Sequence, residues 1–212
     1  MEEIVVIGGG GHARVVLSIL GKLKRFNILG YTDLRDHGPL LGHPFLGPDS
    51  GLAAIVTAHP ALNVAIGVGQ VGLGDRRRDL WTRLAGAAPR LLFPAIVSPH
   101  AVVNEDVVLG DAAVVMDGVV VNCGVRIGRG AILNTHATIE HDVVLEEWVH
   151  IAPGATLSGG VTVGHDSMIG AGATVIEGIR IPPDTFIGAG STVIDSLTEP
   201  GVYAGSPARR IR

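Results

Sequence analysis

The sequence predicts a mainly-β chain: a parallel β-helix preceded by a small α/β domain. Three observations carry that expectation. Every sixth residue from Val97 to Val193 is Val, Leu or Ile, seventeen positions without a break. A helix repeats at about 3.6 residues and a simple strand at about 2, so a spacing of six belongs to neither and marks a repeat architecture. A second position is tuned as well, because a small or aliphatic residue follows each aliphatic by four, from Ala101 and Val107 to Ser191 and Leu197. Third, the chain ahead of the repeat opens on strand, glycine turn and helix, the start of a βαβ unit.

Composition agrees with this division. Hydrophobic residues make up 47% of the 212 residues but aromatic ones only 4%, so the core must be built from small branched side chains. A net charge of −4 gives no footing for nucleic acid, and Arg76-Arg77-Arg78 is the longest basic run. The single cysteine excludes a disulfide within the chain and suits a reducing compartment. Met1-Glu2-Glu3 and four apolar residues form neither a signal peptide nor a membrane span, so a cytoplasmic location is expected.

In chain order, Ile4-Val5-Val6-Ile7 reads as a central parallel strand. It enters Gly8-Gly9-Gly10-Gly11-His12-Ala13, then a helix with Val15, Val16, Ile19, Leu20 and Leu23 along one face. A second strand near Ile28–Tyr31 ends at Asp33, with weaker strands expected at Ile55-Val56 and Val64–Ile66, the latter running into Gly67-Val68-Gly69. A helix covers about 74–84. The first domain spans 1–95 and the β-helix with its C-terminal segment 96–212. Glycines before a helix let backbone N–H groups approach phosphates, and an acid at the next strand end receives ribose hydroxyls. About 95 residues cannot hold both halves of a dinucleotide fold, so a nucleoside diphosphate is the expected ligand.

The repeat units resemble those of hexapeptide acyltransferases, as in Val163-Gly164-His165-Asp166-Ser167-Met168 and Ile169-Gly170-Ala171-Gly172-Ala173-Thr174. That resemblance implies a left-handed β-helix in which three units make one triangular coil. Residues eighteen apart then stack about 4.8 Å from one another, the spacing of adjacent strands. Cys123, His141 and Gly159 form one such file; Ala171 and Ala189 form another. An imidazole at His141 titrates near neutrality and suits a general base; Asp142 or Glu140 is near enough to fix its tautomer. The bare amide of Gly159 would donate to an oxyanion. Cys123 has no visible activator.

Asn134-Thr135-x-Ala137-x-x-Glu140-His141-Asp142 and Gly10-Gly11-His12-Ala13 narrow the resemblance to bacterial nucleotide-sugar acetyltransferases. It implies His141 as base supported by Asp142, Asn134 near the sugar, and His150 at the acetyl group of acetyl-CoA. It implies that Ala171 and Ala189 line the CoA track, and that the closing Gly205-Ser206-Pro207-Ala208-Arg209 segment folds over CoA, with Pro207 and Arg209 in contact. Gly10, Gly11, His12, Asp33, Leu34 and Gly67 would hold the nucleotide-sugar. Family members acting on GDP-perosamine are the nearest in whole-chain resemblance; UDP-linked 4-amino sugars and sialic acids are the alternative acceptors. The family's trimeric assembly implies a homotrimer, with acetyl-CoA as co-substrate and no metal.

Two readings of other classes stay open at this point. His100, His136 and His141 resemble the three-histidine zinc site of γ-class carbonic anhydrases. A non-catalytic trimeric nucleotide-binding protein would use the prism for assembly alone. His37, His43, His59 and His165 carry no partner pattern and are expected to be surface residues.

Overall fold

The computed structural model describes residues 1–212 and divides into two compact units, Met1–Gln70 with Arg76–Pro99, and Val71–Asp75 with His100–Arg212. In the first, β1 (Glu2–Ile7), α1 (Gly11–Leu23), β2 (Phe26–Thr32), α2 (Leu52–Ala58), β3 (Asn63–Ile66) and α3 (Arg76–Ala87) follow in order. Their sheet is wholly parallel in the order β2-β1-β3, with β1 central and Ile4, Val5, Val6 and Ile7 fully buried. Ala13, Val16, Leu17, Ile19 and Leu20 supply the buried face of α1. Two expectations need correction. Ile55-Val56 lies in α2, not in a strand: a short apolar run does not separate the two, and the three alanines of Leu52–Ala58 favour a helix. Val15 is among the exposed residues, so the apolar face of α1 turns on Leu17 instead.

The second unit is a solenoid of two-residue strands stacked in parallel with a constant offset. Thr138 pairs with Thr156, Val144 with Thr162 and His150 with Met168, always eighteen residues on. Three sheets result, one per face, so the period of six is one face and its corner. From Val115 to Val193 the period-six aliphatics are buried in one axial column. The residues four places later, Ala113 to Ala173, fill the corners of the interior and are fully buried. Val97, Val103 and Leu109, in the first coil, keep partial exposure. At the other end the offset changes: Phe186 pairs with Val202, sixteen residues on, and Gly201–Gly205 folds back on Ala208–Arg210 as an antiparallel pair. That change of pattern closes the stack, as terminal repeats of solenoids do.

A third phase of the repeat emerges from the backbone. Every sixth residue from Asp106 to Gly190 has positive φ, and seven of these fifteen corners are not glycine: Asp106, Ala112, His136, Asp142, Trp148, Asp166 and Asp184. Aspartate is tolerated there because its short polar side chain bonds locally. Where the corner residue is larger, the rung below has a glycine to make room. A Cβ on Gly118 would lie 2.5 Å from the His136 ring, one on Gly124 2.6 Å from Asp142 Oδ1, and one on Gly130 within 2.2 Å of the Trp148 ring.

The axial column is where the fold is held. Leu157 is fully buried between Ile139 and Val175 on the rungs either side. Leu157→Ala is expected to lower unfolding free energy by about 2–5 kcal/mol, since flanking rungs cannot close on the cavity. Urea titration checks this, and a loss under about 1 kcal/mol would mean the column is not the main support.

Candidate active site

Two separate sets of residues matter, one in each unit. In the first unit β1 ends in a glycine turn whose geometry is forced. Gly8 has φ +110°, and a Cβ on Gly9 would lie 2.6 Å from the His37 ring and 2.9 Å from that of Tyr31. The Gly9 N–H donates to Asp33 Oδ2 at 2.5 Å. Asp33 thus braces the turn with one oxygen, while Oδ1 accepts from the Arg35 N–H at 3.3 Å. Gly10 and Gly11, in contrast, face open space, with no atom within 4 Å of an added Cβ. Gly10 is the N-cap of α1 and makes no side-chain cap. The first amides of the helix lack intrahelical acceptors, and with the helix dipole they form an anion-binding end.

Gly67 has a packing reason for its identity. A Cβ there would lie 2.7 Å from Val6 Cγ1 and 2.8 Å from Ala13 Cβ, and its N–H donates to Ile7 O. It lets the end of β3 pass between β1 and the start of α1. A Cβ on Gly69 would lie 3.2 Å from His12 Cβ, which places the Gly67-Val68-Gly69 loop beside His12. Leu34 is 87% exposed beside Asp33. The turn, His12 and the loop after β3 therefore converge on one open edge.

In the solenoid, His141 follows the strand Thr138–Ile139 and sits at a corner. Its Nδ1 is 2.9 Å from Asp142 Oδ2, which can only accept, so the proton is on Nδ1 and the lone pair on Nε2. The left-handed backbone at Asp142 turns its carboxylate back onto the preceding side chain. That hydrogen bond, with weaker attraction from Asp142, Glu140 and Glu177, holds the imidazole pKa above 6.5, the usual histidine value. Gly159 is the next residue up the file, as the coil spacing requires. A Cβ on it would lie 2.5 Å from His141 Cε1 and 2.6 Å from Nε2, so the ring rests on bare backbone. Gly160 N–H bonds to His141 O and Gly178 N–H to Gly159 O, while the Gly159 N–H has no acceptor in the chain. The Nε2 edge of the imidazole thus lies against the Gly159 residue that carries the unbonded amide.

The solenoid has a second pair of this kind, which the sequence reading missed. His165 Nδ1 is 2.9 Å from Asp166 Oδ2, and the Asp166 side chain is buried. The signal was there, because His165-Asp166 repeats His141-Asp142 at the same point of the hexapeptide. Its next rung carries Pro183 where His141 has Gly159. With no N–H, proline offers nothing to an oxyanion. Two of the other histidines also have partners: His59 Nδ1 is 2.6 Å from Glu3 Oε2, and His37 Nε2 3.7 Å from Asp33.

Asn134 and His150 lie together but apart from His141. Asn134 Nδ2 is 3.3 Å from His150 Nε2, and His150 is 5% exposed on a strand paired to Ile132. His150 is nine residues from His141, half a coil, and so belongs to a different face. Ala171 and Ala189 occupy successive exposed corners, with Gly190 N–H bonded to Ala171 O. At the C-terminus Arg210 is held by Glu199 at 2.5 Å, whereas Pro207 and Arg209 are exposed. His100 and His136 are separated by Gly118, two rungs in all. Within the chain no group of three His, Cys, Asp or Glu side chains is placed to hold a metal ion.

Comparison with known proteins shows what the chain as a whole resembles. A sequence model of the PglD N-terminal domain family matches residues 3–73. The crystal structure of PerB from Caulobacter crescentus in complex with CoA and GDP-perosamine matches with 33% identity and a TM-score of 0.89, covering 99% of this chain and 97% of that one. This chain belongs to the PglD-like family of sugar acetyltransferases. A second member of the family, the acetyltransferase domain of PglB from Neisseria gonorrhoeae in complex with acetyl coenzyme A, matches at 30% identity and a TM-score of 0.90, covering 99% of both chains. WeeI from Acinetobacter baumannii, at 22% identity, shares the fold over its full length with a TM-score of 0.84. No curated protein matches. The solenoid is the left-handed β-helix of these acetyltransferases. No helix of the chain is long and apolar enough to cross a membrane.

One pH effect follows from the dyad. An imidazole can take a proton only when it is neutral, and the His141 pKa is raised, so a reaction that uses His141 as its base should gain activity as pH rises through that raised pKa. Asp142→Asn removes the charge that stabilises the imidazolium. The acidic limb of the kcat/KM profile should then move to lower pH, and the plateau should fall about tenfold or more because the tautomer is less firmly held. An unmoved limb would detach Asp142 from the reaction.

Proposed function

We propose that this enzyme transfers the acetyl group of acetyl-CoA to the 4-amino group of a nucleotide-linked 4-amino-4,6-dideoxy sugar, with GDP-perosamine the favoured acceptor. The single observation that carries this is the His141–Asp142 pair resting on the free amide of Gly159. Nε2 of His141 takes the proton as the amine nitrogen attacks the thioester carbonyl. The Gly159 N–H donates to the oxygen as it becomes an oxyanion. When the tetrahedral species collapses, the C–S bond breaks and the imidazolium returns its proton to the departing thiolate. No covalent enzyme intermediate is needed.

The first domain, 1–95, takes the nucleotide-sugar, with the diphosphate at Gly10, Gly11 and His12 and the remainder along Asp33, Leu34 and Gly67. The second, 96–212, does the chemistry, with Ala171, Ala189, Pro207 and Arg209 along CoA. Asn134 and His150 serve the sugar and the acetyl group. Because both belong to a different sheet of the prism from the strand that leads to His141, they reach a common site only if a second prism presents its other face, which supports a homotrimer with sites between neighbours. The reaction belongs in the cytoplasm, where acetyl-CoA is available.

The test is a panel of GDP- and UDP-linked 4-amino-4,6-dideoxy sugars with acetyl-CoA, read as release of free thiol. Release with GDP-perosamine alone supports both sugar and nucleotide. Release only with a UDP-linked sugar changes the nucleotide, and release only with a sialic acid changes the acceptor atom to oxygen.

A further inference from the structure

His141 is flanked in sequence by two carboxylates, and the chain treats them differently. Asp142 holds the imidazole. Glu140 is held from below by a ladder of side-chain amides on one corner of the prism. Asn104, Asn122 and Glu140 stand one rung apart, each directly after a strand of the same sheet. Asn122 Nδ2 donates to Glu140 Oε2 at 2.7 Å, and Asn104 Nδ2 donates to Asn122 Oδ1 at 3.0 Å and to Val121 O at 3.1 Å. The direction of every bond is set from the top. A carboxylate only accepts, so Asn122 must turn its nitrogen upward and its oxygen downward, and Asn104 must in turn donate. Glu140 Oε1 makes no hydrogen bond within the chain.

From this arrangement we propose that Asn122 is a positioning residue for the acceptor amine. It holds Glu140 off the imidazole, so His141 keeps Asp142 as its only hydrogen-bonded carboxylate, and it fixes Glu140 Oε1 as an acceptor beside the base. An amino sugar reaches the site as an ammonium ion. A carboxylate held in place one residue before His141 draws that ion in and orients its N–H bonds; the ion gives one proton to solvent to become the neutral amine, and His141 takes the second as that amine attacks. A hydrogen bond to a charged group is worth enough to change an equilibrium about tenfold or more. This inference rests on the amine-acetylation reading above and adds a residue to it that touches neither substrate.

The experiment is a double-mutant cycle on Asn122→Ala and Glu140→Gln, with amino-sugar concentration varied at saturating acetyl-CoA. N122A should raise KM for the amino sugar about tenfold, leave KM for acetyl-CoA unchanged, and stay folded at the assay temperature with a modestly lower melting temperature. The double variant should be no worse than E140Q alone, because Asn122 acts only through Glu140. N122D, the same shape without a donor and with a like charge, should raise KM at least as far, and it serves as the readout if N122A fails to fold. Additive effects, a KM shift confined to acetyl-CoA, or wild-type kinetics in N122A or N122D would overturn the proposal. If the wild type acetylates no amino sugar, the reaction assigned above has failed instead. The same cycle in urea unfolding then reads the Asn122–Glu140 coupling without substrate, and zero coupling would overturn the ladder itself.

Discussion

His141→Ala should lower kcat/KM for the amino sugar by about 10²–10⁴-fold, the range in which a positioned general base contributes. The size follows from what is lost. Asp142 fixes the proton on Nδ1 and leaves Nε2 as the one uncommitted basic nitrogen next to the Gly159 amide. His165, though paired to Asp166 at the same distance, has Pro183 on the next rung and offers no replacement. The imidazole is well exposed, and no axial side chain depends on it, so the variant should fold and bind the nucleotide-sugar as the wild type does. Thiol release and calorimetric titration with the nucleotide-sugar separate the two. A variant retaining more than about a tenth of wild-type turnover would show that another group takes the proton. Cys123→Ser is the companion measurement: Cys123 lies one rung below His141 and is exposed, and its loss should leave turnover within about twofold because no general base in this mechanism acts on it.

Gly159→Ala should be nearly as damaging, by about a hundredfold, for a geometric reason. Its new methyl would stand 2.5 Å from Cε1 and 2.6 Å from Nε2 of His141, well inside van der Waals contact. Either the ring leaves Asp142 or the methyl occupies the place where the acyl oxygen must meet the amide. The backbone itself accepts alanine, since Gly159 lies outside the positive-φ corners; the neighbouring Gly160, with φ +66°, does not share that freedom. Melting temperature should therefore stay near that of the wild type while turnover collapses. Full activity in this variant would mean that the slot beside His141 is not where the acyl group sits.

Much of the architecture was legible because a solenoid repeats its physical problem. Each rung must bury one aliphatic on the axis, so Val115 to Val193 betrays the fold by simple counting. Stacking at a fixed offset then converts sequence distance into spatial distance, and Gly159 could be placed on His141 without coordinates. The small domain was less transparent. Leu52–Ala58 forms a helix where Ile55-Val56 reads as a strand, because a seven-residue segment with six apolar residues carries no period long enough to decide. Asp33 was expected to face a ribose, yet one of its oxygens holds the Gly9 amide, a bond between residues 24 apart in sequence.

The amino-acid order alone determined the coil, the axial column, and the pairing of an imidazole with a bare amide, since all three depend only on what recurs every six or eighteen residues. Tertiary structure decided which carboxylate serves the imidazole. Glu140 and Asp142 are equally near His141 along the chain, and they were separated only by a left-handed corner that turns Asp142 back and an asparagine ladder that holds Glu140 down. It also decided that Asn134 and His150 meet on a different sheet of the prism from the strand that leads to His141, and only folding in space shows which face a side chain is on.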